Sequence, residues 1–294
     1  MTRSTSLPLN RFLYFIKERD SIRLFKAGGI PRRDWTDDPI LKEWRFCNIN
    51  RNDDTETKWV HKNILRPHDK CPYLWFNLCV ARVVNWHGTL KALGYIEVFN
   101  PKKFIRVLHE RRDAGLKVWT GAYIVSTNGH SMDKAEYFAT KVLEPLWKHA
   151  RQGAGRWRFD SVESFATMLK EHNGFSDFMA NQVATDFKYS SQLRKAKDWG
   201  TFVLAGPGTL RGLNRVMEQP IHTRHKKGDV QEHLLRLRDL VLDGIAEYKD
   251  DIEYYGTVFR DMNNLTNCLC EFDKYERVRL NEGQPRARYT PAAL

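Results

Sequence analysis

Apolar residues recur every three or four positions along much of the chain, a period typical of amphipathic helices that bury one face. The clearest stripes contain Phe12, Phe15, Ile16 and Ile22 near the start, Phe165, Met168 and Leu169 in the middle, and Leu234, Leu237, Val241 and Ile245 in the last third. Strand patterns are sparse, and only residues 118–126 are typical of a short strand. The pattern predicts a mainly α protein with these stripes in its core.

Two helix starts are marked by a polar side chain followed by proline. Asp38-Pro39 and Asn100-Pro101 each place a side-chain acceptor at the N-cap and proline at the first helical position, where its missing N–H is harmless. The helix after Asn100 should end near Gly115, a suitable left-handed C-terminal cap. Residues 160–163, Asp-Ser-Val-Glu, resemble a capping box and predict a third start.

The length of 294 residues and the hydrophobic content of 41% suffice for a full core. We expect one helical domain over residues 1–294, built either as one body or as two lobes joined near residues 151–156. That stretch contains two glycines and is typical of a surface loop.

The chain is strongly basic. Its 48 Lys and Arg residues against 36 Asp and Glu residues give a formal net charge of +12, which is typical of proteins that bind a phosphate-rich partner. Nucleic acid is the leading candidate. The alternative is a basic surface that only maintains solubility, because charges of both signs are interspersed.

The five cysteines lack the paired Cys-x2-Cys spacing of zinc sites and indicate a reducing compartment. The sequence indicates neither a secretory leader nor a membrane span. We therefore expect a cytoplasmic protein that requires no metal and no organic cofactor.

A glycine-rich turn, Gly206-Pro207-Gly208, precedes a helix that carries Arg211 and Arg215. The two glycines would permit backbone conformations closed to other residues, and the N–H groups of the first helical turn would face an anion beside one or two guanidinium groups. The spacing fits neither a Walker loop nor a dinucleotide fingerprint. The turn is interpreted either as a phosphate site or as a tight helix entry whose glycines serve packing.

Polar side chains also interrupt the apolar pattern at residues 45–54. Arg45, Asn48 and Arg51 recur every three positions, so one helix would present them together as the wall of a polar pocket. An internal ion-pair network with the neighbouring carboxylates is the alternative.

Residues 268–275 concentrate thiols, carboxylates and a lysine in about two helical turns. Cys270, Asp273 and Lys274 would share one helical face, and Glu271 would lie on another. A lysine beside carboxylates lowers their pKa, holds a leaving phosphate or only forms an ion pair. Cys270 is either a small buried residue or a nucleophile.

Gly174 and Ser176 lie in a turn that leads into a helix. The arrangement is similar to the helix-hairpin-helix motif, which holds a DNA phosphate through backbone N–H groups. Ser176 stands where that motif usually has a second glycine.

The order of these segments resembles one family, the α-glutamyl/putrescinyl thymine pyrophosphorylases of tailed phages, also described as amino acid:DNA transferases. The residues that carry the resemblance are 15–19, 35–41, 45–48 with Arg51 and Asp54, 121–124, 178–180 with Asp186, 206–208 with 211–214, and 268–275. The helical domain of the phage 5-hydroxymethyluracil DNA kinases is similar too. The P-loop of those kinases does not occur in this sequence, which favours the transferase.

The resemblance implies a helical fold like that of helix-hairpin-helix DNA glycosylases, in a phage-infected bacterial host. It implies double-stranded DNA containing phosphorylated 5-hydroxymethyluracil as substrate, with functional coupling to the kinase that makes it. The transferase would replace the phosphate or pyrophosphate with an amine or amino acid. The implied phosphate and base contacts are Gly206, Gly208, Arg211, Arg215 and Lys274, with Arg45, Asn48 and Arg51.

For the chemistry, the resemblance suggests Glu271, Asp186 or Asp198 as the acceptor of the amine proton, and transient addition of Cys270 to the base. Asp198 lies about where such glycosylases carry their catalytic aspartate, and helix capping explains it equally well. The alternatives are a glycosylase that excises a modified pyrimidine and a non-catalytic DNA-binding partner of the kinase.

Overall fold

We describe a computed structural model of the protein, in which residues 6–120, 126–152, 157–247 and 252–289 are described. The helices, numbered in chain order, are α1 (Leu7–Ala27), α2 (Pro39–Glu43), α3 (Thr55–Val60), α4 (Leu74–Val84), α5 (His87–Leu93), α6 (Pro101–Asp113), α7 (Lys134–Tyr137), α8 (Glu144–Gln152), α9 (Val162–Lys170), α10 (Asp177–Phe187), α11 (Pro207–Val216), α12 (Lys227–Glu247), α13 (Ile252–Phe259) and α14 (Met262–Arg279). π-Helical turns continue α3 over His61–Leu65 and α7 over Phe138–Leu143.

The prediction of a mainly α protein is confirmed, since the described residues contain no β-strand. An isolated antiparallel bridge joins Trp44 and Arg288. Most of the expected strand at residues 118–126 lies outside the described residues, and its described ends are not in a strand.

The two proline-marked helix starts are confirmed. The Asp38 carboxylate accepts hydrogen bonds from the N–H groups of Ile40 and Leu41, at 2.8 and 2.9 Å. The Asn100 side chain accepts one from Lys103 at 3.1 Å. Gly115, just after α6, has a φ of +68°, the left-handed conformation expected of it.

The predicted capping box is displaced by one residue. Ser161, and not Asp160, is the N-cap of α9, and Ser164 provides the reciprocal bond that was expected from Glu163. The reason is that the Glu163 N–H donates to the carboxylate of Asp198 at 2.9 Å, as does the Val162 N–H. A residue distant in sequence therefore caps this helix together with the local box.

The chain divides into two compact units. The first contains residues 1–54 and 205–294, and the second contains residues 55–204. The chain therefore passes between the units at 54–55 and 204–205. The join between lobes was expected near residues 151–156. Residues 151 and 152 end α8, and residues 153–156 lie outside the described residues.

The second unit is built around α4, in which every residue is buried. Aromatic rings pack around it: the Phe76 ring centroid lies 4.9 Å from that of Trp147, and Phe165 lies 4.5 Å from Phe187. The predicted stripe of α9, including Phe165, is buried here. This core fixes the ends of α9 and α10, where the hairpin residues lie.

The first unit is built around α14. Its Phe272 ring packs 5.1 Å from Phe12 and 5.8 Å from Phe15, both on α1. The predicted apolar residues of α1 and α12 are buried in the same unit. The core therefore holds α14 with one face against α1.

A second face of α14 is crossed closely by α11. A Cβ atom added to Gly212 would lie far inside van der Waals distance of the Leu269 carbonyl group, and backbone atoms at that point have no freedom to withdraw. The absence of a side chain at Gly212 therefore sets the distance between the two helices.

We predict that Gly212→Ala lowers the free energy of unfolding by about 3 kcal/mol or more, because the methyl group must push α11 away from α14. Gly256→Ala is the matched control: Gly256 is also helical, and a Cβ there meets nothing within 4 Å. The control should be neutral or stabilise by about 0.5–1 kcal/mol. Equal unfolding free energies for the two variants in urea titrations would contradict the close crossing.

Candidate functional site

The glycine-rich turn forms the start of α11, as predicted. Gly206 is the N-cap and Pro207 is the first helical residue, and no side chain caps this end. The expected backbone reason for the glycines is wrong, because Gly206 has an ordinary φ of −76° and Gly208 has no positive φ. Space is the reason at Gly208, where an added Cβ would lie 2.6 Å from the Cys270 Sγ atom.

Both arginines of α11 bind one buried carboxylate on α14. Arg211 Nε lies 2.9 Å from Asp273 Oδ2, and Arg215 Nε lies 3.0 Å from Asp273 Oδ1. Arg277 approaches the same carboxylate at 3.5 Å, and Arg215 also pairs with Glu282. Three guanidinium groups against two carboxylates, Asp273 and Glu282, leave a surplus of positive charge around the buried Asp273.

Arg211 is the member of this group that faces the turn. Its side chain is 32% exposed, whereas that of Arg215 is 9% exposed. Its Nη2 atom lies 3.8 Å from the position of a Cβ on Gly208. Arg211 and the uncapped start of α11 therefore present positive charge at the same place.

The predicted helix at residues 45–51 is wrong. Trp44 to Asn50 are non-helical, and a short 3₁₀ turn follows at Arg51–Asp53. Side chains distant in sequence bind this backbone instead: Glu271 accepts from the Cys47 N–H at 3.1 Å, and Arg19 donates to the Phe46 and Cys47 carbonyl groups at 3.1 Å. The segment is therefore extended against α14.

The three residues expected on one pocket wall are separated as a result. Asn48 contributes its N–H to Asp54 and its carbonyl to Asn267 on α14, whereas Arg51 is buried, with its N–H bound to Asn264. Arg45 is exposed, and its guanidinium lies over the Tyr289 ring at 5.8 Å. Asn48 and Arg51 accordingly border α14, and Arg45 belongs to another surface.

Glu271 and Lys274 form an ion pair on α14, with 2.5 Å between Oε1 and Nζ. The second oxygen of Glu271 is the one that accepts the Cys47 N–H. Burial alone would lower the pKa of Lys274, but the charge of Glu271 and its hydrogen bond raise the pKa overall. Lys274 is therefore a fixed positive charge, one helical turn from Cys270 on α14.

Asp54 is a candidate that the sequence analysis did not select for chemistry. Burial raises its pKa to about 6, although the hydrogen bond from the Asn48 N–H and the charge of Arg51 act in the opposite direction. Glu271 adds to the increase by repulsion. Asp54 and Glu271 thus accept consecutive N–H groups of one extended segment, and Asp54 titrates close to neutral pH.

The thiols of this region are protonated at neutral pH. Burial raises the pKa of Cys270, and Lys274 and Arg211 offset only part of that increase. Burial also raises the pKa of Cys47 and of Cys268. Because the thiolate is the nucleophilic form, the environment does not activate Cys270.

Asp186 lies in the second unit and is fully buried. Both of its oxygens bind the Arg82 guanidinium at 2.5 Å, and His61 Nε2 lies 3.2 Å from Oδ1. Burial alone would raise the pKa of Asp186, but Arg82 and His61 hold it well below its usual range. This carboxylate is ionised and serves as the centre of a buried network.

The remaining predicted residues are also in the second unit. Asp198 caps α9 through both oxygens, as the capping alternative predicts. Gly174, with a φ of +86°, lies in the turn between α9 and α10, where a Cβ would lie 2.9 Å from Val142. Ser176 is the N-cap of α10, but its side chain makes no capping bond. Gly174 and Ser176 therefore both lie in the segment that joins α9 to α10.

In the first unit, the structure brings together the start of α11, Arg211, Cys270, Glu271 and Lys274, with Asp54 beside Glu271. We call this group the α11–α14 cluster. The described residues contain no group of three or more His, Cys, Asp or Glu side chains able to hold a metal ion. None of the described helices is long and apolar enough to cross a membrane.

Comparison with known proteins places this chain in a family. Residues 7–285 match the family described as "5-hmdU DNA kinase, helical domain", and the chain belongs to it. A protein of Bacillus phage SP10, named 5-hmdU DNA kinase, is 24% identical over 295 residues. That alignment covers 90% of this chain and 44% of the relative, so the chain spans less than half of the phage protein's length. No solved structure matches significantly.

We predict that Asp186→Asn lowers the free energy of unfolding at pH 7 by about 3–5 kcal/mol, because it leaves the buried Arg82 without an opposite charge. A folded-state pKa below the unfolded value of about 4 means that the stabilisation is present above that pH and is lost as the pH falls. The difference between variant and wild type should therefore shrink in acid.

The control is Asp177→Asn, on the same helix but 53% exposed. Its effect should stay within about 0.5 kcal/mol. If urea titrations gave both variants the same small effect, Asp186 would not be the centre of a structural network.

Proposed function

We propose that the protein is a transferase of thymine hypermodification in phage DNA. In the proposed reaction it replaces the phosphate or pyrophosphate of a phosphorylated 5-hydroxymethyluracil with an amine or amino acid. The observation that carries the proposal is the α11–α14 cluster, in which positive charges and a carboxylate that titrates near pH 6 lie in one unit. Membership of the family described as the helical domain of 5-hmdU DNA kinase supports the choice of DNA with a modified base as the substrate.

The cluster suits the departure of a phosphate. The N–H groups at the start of α11, the Arg211 guanidinium and the Lys274 ammonium would hold the leaving group, with Arg215 placing Arg211 through their shared carboxylate. As the bond between the methylene carbon and the phosphate oxygen breaks, the electron pair goes to that oxygen. Fixed positive charges stabilise the developing negative charge.

The same cluster suits activation of the amine. The nitrogen forms a new bond to the methylene carbon, and its surplus proton passes to a carboxylate. We assign that proton to Asp54, because Glu271 already binds Lys274 and the Cys47 N–H. Asn48 and Arg51 would border the base. Since Cys270 is protonated, the proposed step is a direct displacement without a thiol adduct.

The base must leave the duplex to reach such a cluster, at a cost of a few kcal/mol. We propose that the fold is related to the helix-hairpin-helix glycosylases and that the turn at Gly174 and Ser176 holds a DNA phosphate. The left-handed Gly174 and the tight approach to Val142 support a turn of that kind.

A second candidate is a DNA-binding unit that recognises the substrate for a kinase and catalyses nothing. One observation favours it: the matching family is the helical domain of a kinase, and the phage relative extends well beyond the matched part. The chemical cluster has no role in that alternative.

The test is incubation of the protein with DNA that contains 5-phosphomethyldeoxyuridine and a mixture of amines and amino acids, followed by digestion and mass spectrometry. The proposal predicts a new nucleoside that has lost the phosphate and gained the amine, with release of phosphate. Abasic sites would indicate a glycosylase instead. Bound but unchanged DNA would leave the second candidate.

We predict that Arg211→Ala slows the transfer by roughly 100- to 1000-fold, as expected when a donor to developing charge is removed. The fold should survive, because Arg215 and Arg277 still neutralise Asp273. Arg277→Ala is the matched control, since it also removes a partner of Asp273 but is not assigned to the phosphate. Equal rates for the two variants would remove Arg211 from the proposed mechanism.

A further inference from the structure

A second basic surface lies in the first unit, formed by two segments that are far apart in sequence. Residues 286–289 run beside residues 43–45: the Arg45 N–H donates to the Ala287 carbonyl, and the Tyr289 N–H donates to the Glu43 carbonyl, both at 2.9 Å. An open cleft of about 320 Å³ is lined by Arg32, Glu43, Arg288 and Tyr289. None of these four residues belongs to the α11–α14 cluster.

Aromatic rings hold the arginines of this surface. The Arg32 guanidinium carbon lies 4.4 Å from the centroid of the Tyr289 ring, and that of Arg45 lies 5.8 Å from it. The Arg288 guanidinium lies 5.4 Å from the Trp44 ring. Stacked guanidinium groups lose little freedom when they bind a phosphate, and their planar donors match its oxygens.

The charge of the surface is positive. Arg32, Arg45 and Arg288 contribute three positive charges, and Glu43 is the carboxylate among the residues that line the cleft. Glu43 binds Arg288 at 2.7 Å, with both side chains well exposed. An exposed ion pair of this kind is weak and can be exchanged for a phosphate.

From this arrangement we propose that the Arg32–Arg45–Arg288 surface binds the phosphate backbone of DNA. Its open shape and spread of guanidinium groups suit a continuous chain of phosphates. The choice of DNA as partner rests on the proposed function. In the bound state, Arg288 exchanges Glu43 for a phosphate, and Tyr289 acts as a positioning residue for Arg32.

The test measures binding of fluorescent, unmodified duplex DNA by anisotropy over a range of salt concentrations. Arg288→Ala should weaken binding and reduce the salt slope by about one unit. Glu43→Gln, which frees Arg288, should strengthen binding by roughly tenfold at low salt. Tyr289→Leu should weaken binding although the net charge is unchanged. A gain of affinity in Glu43→Gln is an outcome that misfolding does not produce.

Arg106 and Glu110 provide matched controls, because they form an exposed arginine–glutamate pair on α6, and no aromatic ring among the described residues lies over Arg106. Arg106→Ala and Glu110→Gln make the same charge changes and should alter affinity much less. Equal effects at the two pairs would overturn the proposal, since net charge alone would then explain binding. Binding of inorganic pyrophosphate tests whether the ligand of the cleft is a free anion and not the DNA backbone. If Glu43→Gln strengthened pyrophosphate binding and left DNA binding unchanged, the cleft would be a free-anion site.

Because the DNA is unmodified, the outcome is independent of catalysis. If Arg288→Ala left DNA binding unchanged while amine transfer was normal, the proposed DNA-binding surface would be refuted and the proposed function would stand. If the variants changed DNA affinity as predicted but no amine transfer occurred, the proposed transferase activity would be refuted and the proposed DNA-binding surface would stand.

Discussion

The close crossing of α11 over α14 is the constraint on which the first unit depends. Gly212 allows α11 to lie against the Leu269 carbonyl, and that approach brings Arg211 and Arg215 onto Asp273. A buried carboxylate without these partners would be strongly destabilising. Packing and charge neutralisation therefore require each other, and together they place the start of α11 beside Cys270, one helical turn from Lys274.

The second unit also neutralises a buried carboxylate, but with a different set of partners. Asp186 is also a buried carboxylate, but the Arg82 guanidinium occupies both of its oxygens and His61 adds a third contact. In the first unit, the hydrogen bond from Asn48 and the charge of Arg51 only partly offset the effect of burial on Asp54, so its pKa rises to about 6. This difference in compensation separates a structural carboxylate from one able to exchange a proton at neutral pH.

The features that could be predicted from sequence are those that local residues determine. The proline-marked starts of α2 and α6 and the apolar stripes depend on neighbours within a few positions, and both agree with the structure. The segment at residues 44–50 was mispredicted because Arg19 and Glu271, both distant in sequence, bind its backbone. For Gly208 the sequence left a backbone reason and a packing reason open, and the close approach of Cys270 agrees with the packing reason.

The account depends on the start of α11 and the middle of α14 meeting one phosphate of the modified base. Backbone amide NMR spectra, recorded with an oligonucleotide that contains 5-phosphomethyldeoxyuridine and again with its unphosphorylated counterpart, isolate the effect of that phosphate. The account predicts that the largest differences between the two titrations occur at Gly208, Arg211 and Lys274. Differences confined to other parts of the chain would contradict it.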